Sequence, residues 1–390
     1  MKLTPRSLFS LKTAAMASLA ALTGGTTAVA SPLISVGDRG AIYFNGSVTL
    51  RADDNVFLNA NNEESDIIFI FSPGIEFTYG SDAIWNFSAY YREDIYRYTD
   101  NTELNTNNSN VFLNADYSDG RVDASFDASY QRLVQSSFDV SDMSGILVER
   151  DVYRIGSDAE YDLTQLIDVG AGISYQETNF KRREFRDTEV ISVPVDLYYN
   201  WRPTIDLSAG YRFRDNNTRG TGLDSQDHFF NVGMRGEITP AILGIVKVGY
   251  QERQFKDSGA PDDRDGLAFN GQAVWDATER INLSLLANRD LTYSARGNTI
   301  QRTGGGPRMD YLFTELFTGS AGLHYQESRY HDGALDGRKD EKWTADIGLG
   351  YSPNDYVELA AAYIYTNNES NRAYADLDRN IFQLTASLRY

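Results

Sequence analysis

Apolar and polar residues alternate with a period of two along most of this chain, and helical periodicity is nearly absent. Between Thr204 and Arg214, Ile205, Leu207, Ala209, Tyr211 and Phe213 fall on one face; Asp206, Ser208, Gly210, Arg212 and Arg214 fall on the other. Between Lys342 and Tyr351, Trp343, Ala345, Ile347, Leu349 and Tyr351 oppose Lys342, Thr344, Asp346, Gly348 and Gly350. The same beat runs through residues 122–130, 169–175, 281–285 and 357–365. It is kept to the end: in IFQLTASLRY, Phe382, Leu384, Ala386, Leu388 and Tyr390 share a face. Chain ends usually fray, so an alternation held to a final aromatic predicts a terminal strand that is tied down.

Short, turn-like connections separate these strands: YGSDA (79–83), YSDGR (117–121), DLTQLI (162–167), WRPT (201–204), ITPAI (238–242), DATER (276–280) and SPND (352–355). They recur roughly every 38 residues, as a repeating hairpin does. The last interval is twice as long, so an eighth turn is expected near residue 316, at FTGSAG (317–322). Long, polar, acidic connections alternate with the turns, for example 51–65, 214–227, 257–266 and 331–341. Eight short turns, with two strands between successive turns and one at each end, predict 18 strands; 16 is the fallback count. Two long strands, one short turn and one long loop per unit is the layout of a closed, antiparallel transmembrane β-barrel. Such strands need about 9–11 residues to cross the hydrocarbon.

Lipid offers no hydrogen bonds to a free sheet edge, so the first strand must pair with the last. The terminal run is therefore the closing strand. It resembles the C-terminal strand of Gram-negative outer-membrane proteins, and that resemblance implies that Phe382, Leu388 and Tyr390 form the signal read by the barrel assembly machinery.

Residues 1–30 change the picture at the other end. A basic start (Lys2, Arg6, Lys12), a short apolar run and Ala28-Val29-Ala30 predict a cleaved signal peptide, leaving residues 31–390 as one barrel domain. Cleavage removes three of 36 basic residues and no acidic one, so 33 basic residues face 55 acidic ones, a net charge of −22. That balance argues against nucleic acid as a partner. The chain has no cysteine, so no disulfide holds it. With 25 tyrosines, 20 phenylalanines and 9 prolines it is rich in aromatics and poor in proline.

DDNVFL (53–58) followed by SDIIFIFSPGIEFTYG (65–80) resembles the N-terminal region of the putative beta-barrel porin 2 family, through Asp53, Asp54, Asn55, Asp66, Ser72, Pro73 and Gly74. The resemblance implies an outer-membrane barrel, often associated with export of capsule or exopolysaccharide, with outer-membrane lipid, surface glycolipid and polysaccharide or its export proteins as partners.

Period-two phasing sorts the wall. Tyr79, Trp201, Tyr211, Tyr250, Trp275, Tyr351 and Tyr365 are expected in interfacial girdles. Arg154, Asp158, Glu160, Asp206, Arg212, Arg214, Arg235, Glu237, Lys247, Lys342, Asp346 and Glu358 are expected to face inward, because Arg or Lys facing lipid costs roughly 2–4 kcal/mol at the midplane. Asn270, Gln272, Asn282, Ser284 and Asn288 add neutral polarity. Mixed signs fit either a polar conduit or a salt-bridged interior. The acidic groups Asp53, Asp54, Glu63, Glu64 and Asp66, and Asp262, Asp263 and Asp265, read as solvated loop charge, or as bridges through divalent cations to glycolipid phosphates.

Enzyme and cofactor signatures are absent: there is no Cys/His metal spacing, no GxSxG and no phosphate loop. Of the three histidines, His228, His324 and His331, only His324 is expected within a strand. Residues 134–149, VQSSFDVSDMSGILVE with Leu133 beside them, are long and apolar for a loop and are expected to fold into the mouth or onto a partner subunit. The functional readings are a diffusion porin for small polar solutes or saccharides, a polysaccharide-export accessory, or a non-conducting barrel whose function lies in its loops.

Overall fold

The computed structural model describes residues 32–80, 83–136, 147–220, 223–257 and 259–390. The predicted signal peptide and the core of the 134–149 loop lie outside them. The described chain forms nineteen strands: β1 Ile34–Val36, β2 Gly40–Asp53, β3 Asp66–Tyr79, β4 Trp85–Tyr98, β5 Thr106–Ser118, β6 Val122–Ser136, β7 Leu147–Asp162, β8 Ile167–Phe180, β9 Thr188–Arg202 and β10 Ile205–Thr218. They continue as β11 Ser225–Thr239, β12 Ile242–Phe255, β13 Arg264–Thr278, β14 Ile281–Tyr293, β15 Thr299–Leu312, β16 Phe317–His331, β17 Lys339–Asn354, β18 Val357–Ser370 and β19 Leu377–Arg389. From β2 to β19 each strand pairs antiparallel with the next, and β19 pairs with β2. The ring is closed and has the predicted 18 strands; β1 stands outside the count.

Residues directly opposed in an antiparallel ladder share a face, so the registers carry one inner and one outer face around the whole ring. The outer face is the exposed apolar one: Phe69 is 51% accessible, Phe382 59% and Leu384 60%. Leu388 and Tyr390 share it. Aromatic pairs band it near both ends. Trp85 packs on Tyr117 and Phe317 on Tyr351, each at 4.6 Å, at the short-turn end. Tyr211–Phe230 (5.0 Å) and Tyr325–Trp343 (4.7 Å) lie nearer the other end.

Five of the short turns share a local device. A Thr, Asp or Asn oxygen accepts backbone N–H groups two and three residues on, at Asp119 (Arg121, Val122), Thr164 (Leu166, Ile167), Thr278 (Arg280, Ile281), Thr314 (Leu316, Phe317) and Asn354 (Tyr356, Val357). At Asp119 the N–H groups of Arg121 and Val122 hold the carboxyl below its ordinary range. The eighth turn is corrected by this device. It occupies residues 313–316, and FTGSAG begins β16, with Gly319 opposite Tyr311 and Ser320 opposite Asp310. Thr314 captures two N–H groups there, whereas Ser320 falls on the inner face opposite Asp310 and Gly319 on the outer face, where a Cβ would crowd the Phe313 ring.

The seam between β19 and β2 runs from Ile381↔Asp53 to Arg389↔Asn45, and Phe44 and Tyr390 exchange backbone hydrogen bonds at its end. β2 continues past that point as Gly40–Ile42, and β1 folds back through Gly37 to pair with it. An edge that β19 cannot reach is thereby covered.

The loops at the other end are not all solvated. Val56 and Leu104 bury themselves against Ile68 and Ile70 on the inner face of β3, with Phe57, Tyr96 and Tyr98 around them. The 51–65 segment, read as an acidic loop, is thus folded inward over an apolar patch. Two of its four acidic residues are engaged: Asp53 binds Arg379 at 2.5 Å and Asp54 binds Asn380 at 2.7 Å. Asp66 accepts from Thr99 and Asn101. Glu63 and Glu64 remain exposed. A second inward fold is made by residues 181–187: Phe185 packs on Val148 and Ala295, and the Arg186 N–H donates to the Ala295 carbonyl across the mouth at 2.8 Å.

Candidate functional site

Register places all twelve inward candidates on the inner face, and six of them join ion clusters on one side of the ring, buried around Arg235 and Asp227 and part-accessible at Arg212 and Asp290. The Arg235 guanidinium grips Glu160 with both terminal nitrogens (2.7 and 2.5 Å) and donates its Nε to Asp206 at 2.9 Å. It lies over the Tyr198 ring at 3.6 Å, and the Arg235 and Glu160 side chains are only 5% and 3% accessible. Lys247 binds both oxygens of Asp196 at 2.7 Å. Arg212 and Arg214 reach Asp290, at 3.3 and 3.0 Å. Arg214 and Arg253 share Asp227, and Arg253, fully buried, stacks on Tyr293 at 4.2 Å.

These bonds join strands far apart in the ring. Arg235 on β11 reaches β7, and Arg214 on β10 reaches β14. Four strands is about 19 Å along a wall at the usual spacing, more than Arg and Asp side chains span together. The wall curves tightly from β7 to β14, and charge pairs bridge its interior. Burying them costs desolvation, which the multiple hydrogen bonds offset.

The rest of the inner wall is different. Arg308 bridges Asp346 at 3.1 Å and contacts Asp310, which is 37% accessible. Arg389 pairs with Glu76 at 3.2 Å and keeps 35% accessibility. Arg92 pairs with Asp94 at 2.8 Å. Glycines 304, 306, 322, 348 and 350 thin the wall between β15 and β17. From β15 through β19 and β2 to β6 these charged pairs therefore border accessible space, while neighbouring Asn110, Ser328, Asp340 and Asn368 are buried.

Arg154 donates to the neutral Gln176 at 2.8 Å, and Asp158, Glu237, Lys342 and Glu358 stand outside the clusters. The sequence reading missed Asp196, Asp227, Asp290, Arg253 and Arg308, although each has the inner-face phase of its strand. His228 and His331, expected outside strands, lie in β11 and at the end of β16; His228 bonds the Tyr211 hydroxyl on the outer face at 2.7 Å. Of the acidic group Asp262, Asp263 and Asp265, two are engaged by protein groups: Asp263 accepts from the Phe255 N–H and Asp265 from the Tyr250 hydroxyl. Among the described residues, no group of three or more His, Cys, Asp or Glu side chains could hold a metal ion.

The putative beta-barrel porin 2 family matches residues 40–390, the whole ring. The chain belongs to that family. It is a porin-like barrel of the outer membrane, and family and fold together point to a channel rather than an enzyme. Similar solved structures include OpdO of Pseudomonas aeruginosa (13% identity, 90% of this chain and 97% of that one, TM-score 0.50). OpdK of the same organism, solved with vanillate, is 11% identical over 90% of this chain and 99% of its own, with a TM-score of 0.48. OccAB2 of Acinetobacter baumannii is 10% identical over 90% and 98%, with a TM-score of 0.49. At these identities the likeness is one of fold. No curated protein matches the chain.

Proposed function

We propose that this barrel is a passive conduit for small polar solutes, saccharides included, with its path along the wall from β15 through β19 to β6. The accessible charge pairs of that wall, Arg308–Asp310 and Arg389–Glu76, set against the buried clusters at Glu160–Arg235 and Asp227–Arg253, carry the reading. Inward groups of both signs replace part of a solute's hydration while the apolar outer face keeps lipid out. Mixed pairs favour weak ion selectivity. The short turns face the periplasm, the chain is exported with residues 1–30 removed, and the β19 outer face serves as the assembly signal. A link to exopolysaccharide export belongs to the same reading, since a sugar polymer has the same lining requirements as a small saccharide.

Single-channel recording of the refolded 31–390 chain in a planar bilayer tests it. Steady, ohmic steps are expected. Silence from a folded, heat-modifiable barrel would overturn the reading and favour loop-based function, for which the inward folds at Val56 and Phe185 are the supporting observation.

A further inference from the structure

We propose that the inner wall of β4–β6 holds a binding site for a neutral sugar ring, centred on Phe112. It deepens the conduit reading above and rests on it for access to the site. Phe112 lies opposite Tyr90, in phase with Arg92 and Asp94 on the inner face. It is 38% accessible. Most other inner-face aromatics are covered: Tyr198, Phe229 and Tyr330 are buried, Tyr43 lies under the Arg389 guanidinium at 4.0 Å, Tyr96 and Tyr98 pack on the Val56 cluster, and Phe180 packs on Phe185; Phe255 is half-buried at a strand end. The Tyr90 ring stands 6.3 Å from Phe112 at a 32° tilt and widens the platform.

An apolar ring facing a wetted wall is unfavourable unless something covers it. Its surroundings define the cover. Ser129 is opposite Phe112, with Asp127 opposite Asn114 and Gln131 opposite Asn110. Asn110 donates to Asp94 at 2.9 Å, and Arg154 sits opposite Ser129 on β7. Amides, a hydroxyl, carboxylates and guanidinia thus neighbour the ring on three strands, with Asn110 buried and holding Asp94 in place. A pyranose has an apolar C–H face and a rim of hydroxyls that both donate and accept, so it meets every group of this rim. Arg92 and Arg154 disfavour a cation there; Asp94, Asp116 and Asp127 disfavour a carboxylate.

The test uses the refolded 31–390 chain with maltotriose as probe and benzoate as the competing chemistry. In a bilayer, maltotriose is expected to interrupt the ionic current, and Phe112→Leu, which stays apolar but loses the ring, to weaken this about tenfold relative to the variant's own open current. A second readout needs no pore: Phe112→Trp in detergent micelles, where emission of the introduced tryptophan is expected to respond to maltotriose. Conductance without a maltotriose response in either assay overturns the sugar site and leaves the conduit. A fluorescence response without conductance overturns the conduit and supports the site. A response to benzoate alone overturns the neutral-sugar assignment.

Discussion

At the scale of single residues, the interior is governed by charges that have given up water. Arg235 is held by two carboxylates and one aromatic face, so each partner depends on the others. Removing one leaves an uncompensated buried charge, which typically costs about 3–5 kcal/mol. Glu160→Ala is expected to destabilise the barrel by about that much, read as a shift of the urea midpoint in micelles. Replacing Arg235, Glu160 and Asp206 together with Met, Gln and Asn is expected to recover most of the loss. An equal loss in the triple variant would mean that the site matters through packing and not through charge. The inner-face phase of these residues was legible in the sequence, because a lipid-facing Arg or Asp is so expensive. Their pairing was not: Glu160 and Arg235 are four strands apart, and only the bend of the wall brings them into reach.

At the scale of elements, turns and strands follow different rules. Period-two alternation identifies strands because each has one wet and one greasy face. Turns are identified by their backbone demand, and here the demand is met by one oxygen capturing two N–H groups. The pattern Thr-x-x-apolar recurs at Thr164, Thr278 and Thr314, with Asp119 and Asn354 as variants. It is readable in the sequence and locates the eighth turn, which glycine and serine content misplaces by a few residues. Thr164→Ala and Thr314→Ala are each expected to cost about 1 kcal/mol. The double variant should lose their sum, since the turns are far apart; equilibrium unfolding checks both. The loops resisted reading for another reason. Loop 54–65 is polar in composition, yet Val56 and Leu58 are buried, because Ile68 and Ile70 leave an apolar patch on the inner face that the segment must cover.

At the scale of the whole molecule, closure is the decisive event. One short seam joins residues from opposite ends of the chain, and in lipid an unpaired edge has no solvent to satisfy it. Deleting residues 386–390 removes the seam from Ala386↔Val48 onward. The shortened chain is expected to fail to yield the heat-modifiable, compact form on gel electrophoresis, while Tyr390→Ala, which keeps every backbone bond, is expected to close. Compact barrels from the deletion would show that the upper seam, tied by Asp53 and Arg379, suffices alone.

The sequence by itself determined the all-β class, the closed ring, the count of 18 strands and the face to which each strand residue belongs. Those follow from local periodicity combined with one global condition, that every backbone group in lipid be paired. The tertiary structure alone decided that charges on one side of the ring neutralise one another across the interior, that two loops fold inward, and that Phe112 is left uncovered. Such relations depend on the curvature of the wall, a property of the assembled ring that no single strand encodes.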